Sequence, residues 1–226
     1  MSAQKLVPCY LCRLPCDPHR YRDHIPPKGV FPSPLPSNLL TVPCCEPCNH
    51  KNHSNDELFR TITCLGVNPS RTGDAVFKKA LKRSVKSGRI KSEFDGFLKS
   101  FQRIILPDAT MAAKSHLSAR PLRRQVIRLT KGLLYIFHPE LDYSSYEWHV
   151  ILLNQFNLHT TIGECVPFLI ADERGNGAYK FWRGLPEDNP NTGLWIHCFH
   201  DRVAFAVIHK FRGNGYRPNS GVYLKI

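Results

Sequence analysis

Two Cys-x-x-Cys pairs, Cys9-Tyr10-Leu11-Cys12 and Cys45-Glu46-Pro47-Cys48, stand 32 residues apart near the start of this chain. Two such tight turns can present four thiolates to one tetrahedral Zn²⁺ at Zn–S distances of ~2.3 Å. The interval exceeds the roughly 15–20 residues of a minimal zinc ribbon, so an insertion must lie between the knuckles. A redox reading fits less well, because neither pair sits in the strand-to-helix context of a thioredoxin-like motif. Disulfides are also disfavoured: nine cysteines is an odd number, residues 1–8 hold no apolar signal core, and no apolar run approaches the ~20 residues of a membrane span. A cytoplasmic location is therefore expected. Cys44 competes with Cys45 but leaves a looser Cys-x-x-x-Cys spacing. Cys16, Cys64, Cys165 and Cys198 read as ordinary buried residues, and His19 enters only a mixed ligand set.

The 226 residues are 42% hydrophobic, enough for a buried core, and carry a formal net charge of +13. The excess is concentrated. Residues 71–132 hold 16 basic and 4 acidic side chains, whereas the segments on either side are close to neutral. A basic surface of this size suits a polyanion. Lys82, Arg83, Arg120, Arg123, Arg124 and Arg128 are the expected phosphate contacts, which give affinity without sequence readout.

Pattern divides the chain into three regions, 1–66, 67–138 and 139–226, and predicts an α+β fold. The proline-rich start favours short strands and turns, then a short helix near 47–60 opened by Pro47. The basic middle shows helical periodicity at Phe77, Ala80, Leu81 and Val85, with a break at Ser87-Gly88. A second helix is expected from about Lys91, on Phe94, Phe97, Leu98, Phe101 and Ile105, to a stop at Pro107. A third spans about 121–137, on Val126, Leu129, Leu133, Leu134 and Phe137. The end reads as antiparallel sheet, with strands at 146–153, 178–183, 194–199 and 203–209 and a hairpin turn at His200-Asp201-Arg202. Loops are expected at 172–177 and 186–193.

The insertion between the knuckles contains Asp23-His24-Ile25-Pro26-Pro27-Lys28 and Asn38-Leu39-Leu40-Thr41-Val42-Pro43. Cys48-Asn49-His50-Lys51-Asn52-His53 follows. These residues can support phosphodiester hydrolysis, which needs an activated water and a cation on the developing charge. His24 can act as general base because an ordinary histidine pKa of ~6.5 leaves it neutral near pH 7. Carboxylate oxygen suits Mg²⁺ or Mn²⁺, which singles out Asp23, although it points to the opposite side of a regular strand from His24. Asn49 and His53, at i and i+4, share one helix face, with Asp56 near the same face. His50 lies ~100° around the helix from Asn49.

This order of elements resembles the H-N-H endonucleases, or ββα-metal nucleases, and in particular the branch whose motif is framed by two zinc knuckles. The resemblance covers about residues 9–60. It implies a small zinc-stapled nuclease module, with His24 as general base and Asn38 bracing the loop and orienting it. It also implies one catalytic cation held by Asp23, Asn49 and His53, and a structural zinc on Cys9, Cys12, Cys45 and Cys48. Many members have His where Asn49 stands, and this departure favours Mg²⁺ or Mn²⁺. The implied partner is double-stranded DNA, with no membrane role and with homodimerisation left open. A zinc-stapled binding module without cleavage and an RNA-directed nuclease remain as alternatives, since nothing in the sequence reads a 2′-hydroxyl.

Overall fold

The computed structural model describes residues 6–64, 71–86, 102–105, 111–114, 119–153, 168–185 and 191–212. At 52–55, 80–81, 83–86, 102–105, 111–114 and 119 it describes the backbone alone. The fold is mixed α+β, with a five-stranded antiparallel sheet and three helices among the described residues.

The prolines of the first region leave room only for short pairings. Strands β1 (Val7–Pro8) and β2 (Pro15–Cys16) form a minimal hairpin around the first knuckle. Its turn is closed by the amide of Cys9 on the Leu14 carbonyl at 2.8 Å and that of Arg13 on the Cys9 carbonyl at 2.9 Å. Arg13 takes a positive φ of 62° there. Strands β3 (Arg22–Ile25) and β4 (Leu40–Pro43) form a second hairpin, with Asp23 opposite Val42 and His24 opposite Thr41. The segment joining them carries a one-turn 3-10 helix, Lys28–Val30. The second knuckle opens α1 (Glu46–Cys64), four residues longer at its C-terminal end than the short helix expected near 47–60.

Helix α2 (Arg71–Lys86) begins well ahead of the predicted stripe, and the break expected at Ser87-Gly88 lies outside the described residues. The next expectation needs correction. The helix expected from Lys91 to Pro107 cannot run to its end, because Gln102–Ile105 is a strand, β5, paired with β6 (Met111–Lys114). Ile104 and Ile105 are β-branched and favour extended backbone. Residues 87–101 lie outside the described residues. Helix α3 (Ala119–Phe137) matches its predicted span closely.

The last region is the sheet. Strands β7 (Tyr146–Leu153), β8 (Ile170–Arg174), β9 (Tyr179–Gly184), β10 (Thr192–Phe199) and β11 (Val203–Phe211) lie in the order β7-β11-β10-β9-β8. The expected hairpin at His200-Asp201-Arg202 is present, with positive φ at His200 and Asp201, the combination that suits the right-handed twist of its strands. The loop expected at 172–177 begins later, since Asp172, Glu173 and Arg174 belong to β8 and pair with β9. Thr192 and Gly193, expected in a loop, open β10; residues 186–190 lie outside the described residues.

One core joins all three regions. Along β10, Trp195, His197 and Phe199 face one way, toward a cluster that also contains Val126, Leu129, Leu133 and Leu134 of α3. Cys9, Tyr10, Ile25, Val42 and Phe59 from the first region belong to the same cluster. The alternate residues Ile196 and Cys198 pack with Leu153, Ala204 and Ala206 on the other face of the sheet. Helix α3 also touches β3, β4 and α1. Gly132 allows this approach: a Cβ there would fall 2.5 Å from two carbons of the Ile25 side chain.

Candidate functional site

The four knuckle cysteines converge. The sulfurs of Cys9, Cys12, Cys45 and Cys48 all lie within 4.8 Å of one another, and Cys12 Sγ is 3.5 Å from Cys45 Sγ. Tetrahedral ligation at ~2.3 Å separates sulfurs by about 3.8 Å, so the set fits a metal such as zinc. The amide of Cys45 donates to Cys9 Sγ at 3.3 Å. Cys44, the sequence competitor, is buried outside this set. A hydrogen bond from the Cys44 thiol, against the opposing effect of burial, lowers the Cys9 pKa to about 4, which keeps Cys9 as thiolate. Burial raises Cys12 and Cys48 instead, and crowding by neighbouring sulfurs adds to this. A divalent cation relieves that crowding and releases their protons. Cys16, Cys64 and Cys198 are buried as expected; Cys165 lies outside the described residues.

Beside this cluster, β3 sends two adjacent side chains in opposite directions. Asp23 is buried at 5% exposure and faces α3. Arg128 takes both of its oxygens: Nη2 reaches Oδ1 at 2.6 Å and Oδ2 at 2.5 Å, and Nε reaches Oδ2 at 2.9 Å. The Tyr10 hydroxyl also donates to Asp23 Oδ2. Arg128 Nη1 turns to Asp56 Oδ1 at 2.5 Å and to Gln125 Oε1 at 3.1 Å. Burial raises the pKa of Asp56, with Arg128 pulling the other way.

Two expectations are corrected by this network. Arg128 is only 4% exposed and already bound to two carboxylates, so it is an internal anchor and not a phosphate contact. Asp23 does not present a free carboxylate beside His24, because the guanidinium occupies the place a cation would need. The residues described here therefore do not form an open catalytic cation site. Sequence patterning misses the network because an arginine on a basic helix reads as surface. The signal that was available is position: Arg128 lies between the core residues Val126 and Leu129 and four before Gly132, where α3 meets β3.

His24 is half-buried on the other side of β3. Burial, and then the nearby Lys28 charge, lower its pKa below 6.5, so the ring stays neutral at neutral pH. Asn38 is exposed, and its side-chain oxygen accepts from the Gly175 amide at 3.3 Å. It braces the loop against the β8–β9 turn; among the described residues it makes no hydrogen bond to His24. Gly175 has a φ of +66°, and a Cβ there would strike the Phe31 ring at 2.6 Å, so this brace depends on glycine.

Asn49 lies in the first turn of α1, half-buried, with its amide on the Cys45 carbonyl at 3.0 Å. His53 follows one turn later on the same helix, and its side chain lies outside the described residues. His50 is exposed, 3.6 Å from Glu46 and edge-on to Tyr21. Lys82, Arg120, Arg123 and Arg124 are exposed, although Arg123 also donates to the Trp148 carbonyl at 2.6 Å. The side chain of Arg83 is not described.

His200 is buried beside Thr72 Oγ1 at 3.3 Å, and two further histidines are internal. His197 bridges Thr130 at 2.9 Å and Tyr179 at 2.8 Å, and burial lowers its pKa to about 3. His209 receives the Trp195 indole N–H at 3.1 Å. Both are satisfied core residues. No protein-family model, curated protein or solved structure matches this chain. No helix among the described residues is long and apolar enough to cross a membrane.

Proposed function

We propose that the chain is a DNA endonuclease of the H-N-H type, with residues 1–66 as its ββα-metal nuclease module, stapled by a structural zinc. The observation that carries this reading is His24: a neutral imidazole on the first strand of a hairpin, between two cysteine knuckles that converge, with a helix bearing Asn49 immediately after. In this scheme His24 takes a proton from water as the water oxygen bonds to phosphorus, and the bond to one sugar oxygen breaks, that oxygen leaving as a hydroxyl with a proton from solvent. The exposed Lys82, Arg120 and Arg124 hold the backbone without reading bases. Mg²⁺ or Mn²⁺ belongs to the proposal as a dependence to be measured. With both Asp23 oxygens held by Arg128, that carboxylate is not free to hold a cation in this arrangement.

Plasmid cleavage with a panel of divalent metals tests the assignment. Removing a positioned general base slows a reaction by ~10²–10⁴-fold. His24→Ala should therefore fold and bind DNA as the parent does, yet cut at least ~100-fold more slowly. Wild-type rates in that variant would exclude His24 as the base.

The pH profile supplies a second check. A base works when deprotonated, and the environment of His24 lowers its pKa from 6.5. The acid limb of kcat/KM should therefore have its midpoint below pH 6.5, with full activity at neutral pH. A midpoint above 6.5 would contradict the assigned environment.

The closed Asp23–Arg128 pair favours one competing reading, a zinc-stapled DNA-binding module without cleavage. Absence of cutting with every metal, alongside tight DNA binding, would select it.

A further inference from the structure

Where the 3-10 turn meets α1 and α2, a cavity of about 220 Å³ is lined by Lys28, Gly29, Ser33, Arg60 and Lys79 among others. Three cations from three separate elements converge on it, and no carboxylate lines it. The nearest acid on the same helix, Glu57, sits 3.6 Å from Arg60 Nη2. Arg60 Nε is buried and has no hydrogen-bond partner. An unpartnered buried guanidinium N–H is costly unless a ligand or water satisfies it. Lys79 donates to Ser33 Oγ, which places an ammonium and a hydroxyl together on the rim. Gly29 keeps the floor low: a Cβ would lie 3.1 Å from Arg60 Cδ.

Point charges, a forked guanidinium and a hydroxyl around a small cavity match the chemistry of a phosphate. We infer that this cavity takes a backbone phosphate of the bound DNA, next to the one attacked at His24. The inference rests on the nuclease reading for its position only. Lys28 opens the 3-10 turn that follows β3, four residues after His24, so the cavity lies on the same connection as the proposed base. The site thus extends DNA contact from the expected helical surface to the turn after the Asp-His strand. It also gives Lys28 and Lys79 a role distinct from general positive charge.

The test reads binding, so that it does not depend on cutting. Lys28→Gln/Lys79→Gln changes two exposed side chains and preserves the fold. Affinity for a duplex oligonucleotide is measured by fluorescence anisotropy across a salt series, without added Mg²⁺ or Mn²⁺. Each lost phosphate contact should flatten the log–log salt slope by about 0.9. A slope flatter by about one to two units is expected, with weaker binding on all sequences alike. Arg202→Gln/Arg212→Gln removes the same charge from two exposed positions flanking β11, and its slope should match the parent. Equal flattening in both variants would overturn the site in favour of a general field effect, and an unchanged slope in the first would overturn it outright. If the slope flattens selectively while the parent fails to cut DNA whichever metal is supplied, the cavity stands and the nuclease reading falls. If the parent cuts and the slope is unchanged, the cavity alone falls.

Discussion

Arg128→Ala should lower the unfolding free energy by about 3–5 kcal/mol, among the largest losses available to a single substitution in this chain. The guanidinium is 4% exposed and lies between Asp23 on β3 and Asp56 on α1. Removing it leaves one fully buried carboxylate and one largely buried carboxylate without their counter-charge. That is a larger cost than the net worth of the ion pairs themselves. The effect should spread beyond the local contact, because Arg128 ties α3 to both the hairpin and the helix that follow the knuckles. Urea unfolding followed by tryptophan fluorescence, to which the buried Trp195 and Trp148 contribute, gives the measurement. Adding Asp23→Asn to Arg128→Ala should recover part of the loss, since the neutral amide is cheaper to leave in the core. A loss below about 1 kcal/mol would place Arg128 at the surface instead, where exposed pairs contribute that little.

The same residue shows where sequence reading stops. The spacing of Val126, Leu129, Leu133 and Leu134 reveals which face of α3 is buried, because helical periodicity is a local property. The β-branched and aromatic runs of β7, β10 and β11 are legible for the same reason. What Arg128 does depends on Asp23, 105 positions away, and no local pattern carries that information. Gly132 is similar: as sequence it is a weak point in a helix, and in the fold it is the gap that admits Ile25. The converse case is Gln102–Ile105, where an apolar stripe predicts helix and pairing with β6 makes strand. The knuckles were readable because metal ligation imposes a fixed residue type at a fixed spacing. The cavity at Lys28 was not, since its cations come from a turn and two separate helices. Asn38 was partly legible: the loop it braces was expected, and its partner Gly175 in the distant β8–β9 turn was not.

Removing the metal from the knuckles should be the most disruptive change of all. Structural zinc in finger peptides contributes an apparent ~10–16 kcal/mol at neutral pH, and their folds collapse without it. Here the first region shares its core with the rest of the chain, so part of the fold has other support. Yet Cys9 and Tyr10 are both fully buried in that core. Tyr10 donates to Asp23 and, through its carbonyl, accepts from the Tyr143 hydroxyl. Releasing the first knuckle therefore loosens β3, α3 and the start of the sheet together. Purified protein should hold about one zinc per chain by elemental analysis. Cys45→Ser should lose it and melt at a markedly lower temperature, whereas Cys44→Ser, one position away and outside the set, should retain it. Because thiolates must be deprotonated to bind, zinc retention should also fail as pH falls, with protons displacing the metal. Zinc-free protein that melts like the parent, or zinc held equally well by Cys45→Ser, would show that the four sulfurs converge for packing and not for a metal.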